Sequence, residues 1–212
     1  MKNENVTKVV IADDHPVVRI GTRAILELVP DVEVVADASS LEELLTLLAH
    51  CTCDVLVLCL SLGGKGAKPG IGAIAAVRRA FPKIRLIVYP DAYSPQTVRI
   101  AIALGAMGVV AKHEASAELV PALRSVQQGF RFVSPGIHRR INCKEIRRLA
   151  VEEELLLQLL ADGNSLEEAV PVLQIPIDDA RNMRDRAMTK LGMSDLAALS
   201  SFLESWRLDN LN

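Results

Sequence analysis

Five apolar runs of strand length alternate with five helix-length amphipathic segments across residues 1–128, and few folds accommodate that order. The runs fall near residues 8–12, 32–36, 54–58, 85–89 and 108–111, and the helical segments near 17–29, 40–49, 72–81, 95–104 and 116–128. Repeated strand–helix units of this kind bury both faces of a parallel sheet, so the fold class expected here is α/β, a doubly wound, five-stranded parallel sheet. Ligands of such sheets sit at the carboxyl ends of the strands. Those ends supply Asp13 and Asp14 after the first run, Cys59 after the third, Pro90 after the fourth and Lys112 after the fifth.

The pattern changes after residue 128. Gly129, Ser134, Pro135 and Gly136 lead into Arg139, Arg140, Lys144, Arg147 and Arg148, which reads as a linker over 129–147. Residues 148–212 then carry four helical segments near 151–161, 166–174, 179–191 and 195–206, expected to form a small all-α domain. Ser165-Leu166-Glu167-Glu168 has the capping-box order, in which the serine caps the helix and the glutamate reaches back. Pro171 falls inside that short helix, where it deletes a hydrogen bond and crowds the preceding turn.

Charge divides the same way. Residues 1–146 carry 17 Lys+Arg against 14 Asp+Glu and residues 147–212 carry 7 against 12, so a chain of net charge −2 splits into +3 and −5 parts. The longest apolar stretch, Ala101–Ala111, is broken by two glycines and falls short of the ~18 residues a membrane span needs. The polar opening Met1–Lys8 runs straight into a strand, so no export signal and a cytoplasmic location are expected. The four cysteines show no disulfide framework. His50-Cys51-Thr52-Cys53 has the look of a metal fragment but no second ligand pair at zinc spacing, and no metal is expected there. The glycine-rich stretch Leu62–Gly70 lacks the order of a phosphate-binding P-loop.

In order and spacing, Asp13-Asp14, Cys59 and Lys112 resemble the pocket of a response-regulator receiver domain. Leu149–Gly163 and Lys190-Leu191-Gly192-Met193 resemble the opening and the end of a LuxR-type helix-turn-helix. Together they make the chain similar to NarL/FixJ-class response regulators over nearly its whole length. The long loop 62–70, Phe81-Pro82 and Ile84–Val88 resemble the RcsB-like subgroup.

The resemblance implies a CheY-like receiver in which an acidic pair holds Mg²⁺, an aspartate accepts phosphate and a lysine pairs with the phosphoryl group. This chain departs from that pattern. Cys59 stands at the acceptor position, Pro90 where a hydroxyl is usual, and Val109 where an aromatic commonly reorients. Weak Mg²⁺ binding at Asp13 and Asp14 is chemically allowed, but a thiol does not suit a hard cation and acyl-phosphate chemistry is not expected. Asp13, Asp14 and Lys112 are then expected to persist as a buried charge network, with Lys112 neutralising both carboxylates. A redox role for Cys59 is the sharper alternative, favoured by Lys112 and opposed by the carboxylates and by burial.

Residues 176–190 occupy the recognition-helix position, and Arg181, Asn182, Arg184 and Arg186 are the candidate DNA contacts. Their bland reading is a solvated face balancing local acids. Pro176 replaces the usual capping serine, and Asp178 and Asp179 would cap the helix or face phosphate unfavourably. The resemblance implies a transcriptional regulator that binds DNA as a homodimer or with another response regulator; the departures at Cys59, Pro90 and Val109 make it phosphorylation-independent in expectation, and the acidic C-terminal part makes binding weak when it is alone. The implied dimerisation surface is the fourth and fifth helices and the strand between them. The alternative is an adaptor or antagonist that binds a partner regulator or kinase without touching DNA, favoured by the acidic C-terminal part. An enzyme is not expected, because the thiol lacks a paired general base; His15, the nearest candidate, is expected to start the first helix.

Overall fold

The computed structural model describes residues 6–60, 62, 71–91, 94–141 and 146–208, without the side chains of 205–208. Leu62 apart, the long glycine-rich loop lies outside the described residues, as do Cys143 and Lys144.

Six parallel strands form one sheet in the order β2-β1-β3-β4-β5-β6: β1 (Thr7–Ala12), β2 (Val32–Ala38), β3 (Val55–Leu58), β4 (Arg85–Val88), β5 (Gly108–Val109) and β6 (Phe132–Val133). The helices between them are α1 (Pro16–Glu27), α2 (Leu41–His50), α3 (Ile71–Ala80), α4 (Pro95–Ala103) and α5 (Ala115–Gln127). Alternation along the strands divides the core. Val9, Ile11, Val55, Val57 and Ile87 join the cluster containing residues of α1 and α5. Val10, Ala12, Leu56, Leu58, Leu86 and Val88 join the one containing residues of α2, α3 and α4. Burial on both faces is why β3 reads as an unbroken apolar run.

The sixth strand corrects the expected five. Phe132 and Val133 pair in parallel with Gly108 and Val109, and the short helix α6 (Pro135–His138) follows, within the stretch read as a linker. Two residues between a glycine turn and a proline carry no periodicity from which a strand could be read.

Beyond it come α7 (Val151–Ala161), α8 (Leu166–Leu173), α9 (Ile177–Leu191) and α10 (Leu196–Leu208). Leu156, Ala169 and Met183 form a small core among α7, α8 and α9. Leu157, Ala161, Met188, Leu191, Leu199 and Phe202 continue the α2–α4 core, with α9 against α4 and α10 against α3. The approach of α4 to α9 is close: Gly192 ends α9 at φ +72, and a Cβ there would lie 2.9 Å from Arg99 Cδ.

The capping box forms as read, Ser165 Oγ accepting from the Glu168 amide and Glu168 accepting from the Ser165 amide. Pro171 lies within α8 and is exposed, leaving the Glu167 carbonyl without its helical donor. Removing this defect at ~3 kcal/mol, less the ~1 kcal/mol that proline takes from unfolded-chain entropy, predicts that Pro171→Ala stabilises by about 2 kcal/mol. The urea midpoint of the full chain should rise, and an unchanged midpoint would mean that α8 already relieves the strain.

Candidate functional site

The carboxyl ends of β1, β3 and β4 and the turn after β5 converge on one buried cluster. Asp13 is 1% exposed and accepts from the His15 amide at 2.9 Å. Cys59 is fully buried, its amide donating to the Ala12 carbonyl at 2.8 Å. Ligand atoms of Asp13, Asp14 and Cys59 all lie within 4.8 Å of one another. Lys112 Nζ reaches in to Asp13 Oδ2 at 2.6 Å and Asp91 Oδ1 at 2.8 Å, and lies 5.9 Å from the centroid of the Tyr89 ring. Burial opposes its charge, but the hydrogen bonds it makes to Asp13, then Asp91 and Cys59, outweigh that and hold its pKa above the ordinary lysine value.

Lys112 pairs with Asp13, as expected, and with Asp91, which the expectation did not include. Asp14 Oδ1 meets His15 Nδ1 at 2.9 Å, and His15 starts α1 as its N-cap. Asp91 and Tyr89 were missed in the sequence. Asp91 follows Pro90 at the end of β4, and the strand-end rule would have pointed to it. Pro90 contributes only backbone, its carbonyl accepting from the Lys112 amide at 3.2 Å.

A hard divalent ion fits this donor set poorly. It wants several oxygens, whereas Lys112 already occupies Asp13 Oδ2 and the third ligand is a soft thiol. The His50–Cys53 fragment holds no metal-ligand group among the described residues. Cys53 donates to the Val55 carbonyl at 3.2 Å, and burial pushes its thiol up to about 12, which keeps it protonated.

The second cluster lies along α9. Arg181 and Asn182 are exposed on its first half, Arg184 is half-buried, and Arg186 is exposed on the second half. Each arginine faces a carboxylate: Arg181 lies 3.0 Å from Asp178, Arg184 2.8 Å from Asp185, and Arg186 3.8 Å from buried Glu153. Pro176 is the N-cap, and no side chain caps the helix. The expected capping by Asp178 or Asp179 is thus replaced by an acidic first turn, because α9 begins at Ile177 and carries both aspartates inside it.

Comparison with known proteins places these two clusters in context. A family model described as the response regulator receiver domain matches residues 9–124. The transcriptional regulatory protein RcsB of Escherichia coli K12 is 31% identical over 210 residues, covering 97% of this chain and 96% of that protein. A solved RcsB–DNA complex superposes with a TM-score of 0.63 at 32% identity, over 95% of this chain and 99% of that one. The Salmonella typhimurium RcsB response regulator superposes with a TM-score of 0.61 at 31% identity, over 94% and 98%. No described helix is long and apolar enough to cross a membrane.

Proposed function

The chain belongs to the response regulator family, and from that premise we propose that it is a DNA-binding transcriptional regulator whose DNA affinity does not depend on phosphorylation. The observation that carries this reading is Cys59, a buried thiol beside Asp13 and Asp14 where an acceptor carboxylate would be needed. Lys112, already bound to Asp13 and Asp91, supplies the charge that holds the pocket together without a phosphoryl group. We divide the chain into a receiver over 1–128, a connecting segment over 129–147 that includes β6 and α6, and a helix-turn-helix domain over 148–212.

In this reading Arg181, Asn182 and Arg184 face phosphates and base edges from the first half of α9, with Arg186 behind them. Dimerisation, with a second copy or with an RcsB-like regulator, adds the phosphate contacts that the acidic C-terminal part, of net charge −5 over residues 147–212, lacks. RcsB is known in complex with DNA, and likeness over nearly the whole chain supports the same use of the C-terminal helices here. The second reading, an adaptor that does not touch DNA, draws on the carboxylates facing Arg181 and Arg184.

One experiment separates the readings. Acetyl phosphate and Mg²⁺ should leave the intact mass and the DNA-binding midpoint unchanged. The logarithm of DNA affinity should fall linearly with the logarithm of salt concentration, by roughly 0.9 per phosphate contacted. A phosphorylated species with tighter DNA binding would overturn the reading, and the absence of any retention on DNA would favour the adaptor.

A further inference from the structure

Between the receiver and α9 lies a cleft of about 320 Å³ lined by Arg99, Ile146, Arg147, Arg186, Thr189 and Lys190. Four of those six side chains are cations and none is an acid. Arg99 comes from α4, Arg147 from the segment before α7, and Arg186 and Lys190 from successive turns of α9. Among the described residues Glu153 is the carboxylate that reaches the group, meeting Lys190 Nζ at 2.5 Å and Arg186 Nε at 3.8 Å while itself almost fully buried. Among the described residues neither Arg99 nor Arg147 has a carboxylate within ion-pair distance. The floor is fixed: Ile146 is buried, and its carbonyl accepts from Arg131 at 3.0 Å. Thr189 Oγ1 donates to the Asp185 carbonyl, so the donors facing the cleft are guanidinium and ammonium groups.

Like charges brought together at a domain junction repel unless an anion offsets them. Guanidinium forks match phosphate oxygens bidentately, and the volume is at the low end for a small-molecule site. We propose that this cleft binds a small phosphate-bearing ligand, an inorganic polyphosphate or the polyphosphate of a nucleotide, bridging α4 and α9. A ligand held by both parts of the chain favours the arrangement in which α9 packs on α4. It also engages Arg186 in competition with DNA, a consequence that rests on the assignment of α9 above, whereas the binding step does not.

The test is calorimetric titration of the full chain, without DNA and at fixed ionic strength, using pyrophosphate in one arm and ATP in the other. Saturable one-site binding is expected. Arg99→Ala and Arg147→Ala should each weaken it about tenfold, as loss of a charge-assisted hydrogen bond does. Arg147 is exposed, so its variant should keep the fold, which circular dichroism checks. Arg139→Ala, an exposed arginine outside the cleft, should bind like wild type. Equal affinities in the two arms assign recognition to the phosphates alone, and tighter binding of ATP assigns a nucleotide. No saturable heat in either arm would overturn the proposal. Equal weakening by Arg139→Ala would overturn it as well, since net charge would then account for the binding.

Discussion

Lys112→Ala is expected to destabilise the receiver by about 3–5 kcal/mol, the cost of leaving a buried carboxylate without its cation. Asp13 is the reason for that size. At 1% exposure it has no access to water, whereas Asp91, half exposed, rehydrates when Lys112 leaves. The asymmetry makes a double-mutant cycle informative. Asp13→Asn combined with Lys112→Met removes both charges and should recover much of what Lys112→Met alone loses, a coupling of at least about 1 kcal/mol. The effect should hold at neutral and mildly alkaline pH. A lysine whose pKa is raised on folding contributes fully below its ordinary value of about 10.5 and loses that contribution only as pH rises through the folded value. Urea unfolding monitored by circular dichroism checks this. A loss under about 1 kcal/mol would mean that Asp13 finds other compensation, and the pocket would not be the structural network described.

The same pocket shows which parts of the molecule could be read from residues alone. Asp13, Cys59 and Lys112 follow apolar runs that pair as neighbouring strands, so the strand-end rule brings them together before any coordinates are known. Asp91 also sits at a strand end and pairs with Lys112, but a lone aspartate after Pro90, unlike the paired Asp13-Asp14, carries no motif that names it as the partner of a lysine 21 positions away. The capping box at Ser165 was legible because it is a local rule acting across three residues. Strand β6 was not legible, because two residues make no pattern and only the exposed edge of β5 selects them. The contact between α4 and α9 was beyond reach for a different reason. It depends on how the two parts of the chain pack, and Arg99 and Lys190 read separately as ordinary surface cations.

Arg181→Ala/Arg184→Ala is expected to weaken DNA binding by roughly a hundredfold, at ~1–3 kcal/mol for each lost guanidinium contact. The loss has two parts. In the proposed reading each arginine would supply donors to the nucleic acid, and each also neutralises a neighbouring carboxylate, Asp178 for Arg181 and Asp185 for Arg184. Removing both arginines leaves two aspartates facing the phosphates. Fold stability should change little, because both ion pairs join neighbours on one helix surface and such pairs contribute ~0–1 kcal/mol. Contacts to phosphate would also lower the salt slope by about 0.9 each, whereas contacts to base edges would leave the slope and relax sequence preference.

The most direct test of a phosphorylation-independent DNA binder is a titration of the full-length protein onto its recovered target DNA. Wild type and the double arginine variant would be compared at one salt concentration, each with and without acetyl phosphate and Mg²⁺. The two wild-type curves should superimpose, and both variant curves should shift together to weaker binding. A wild-type curve that tightens with acetyl phosphate, or a variant that binds as well as wild type, would contradict the account.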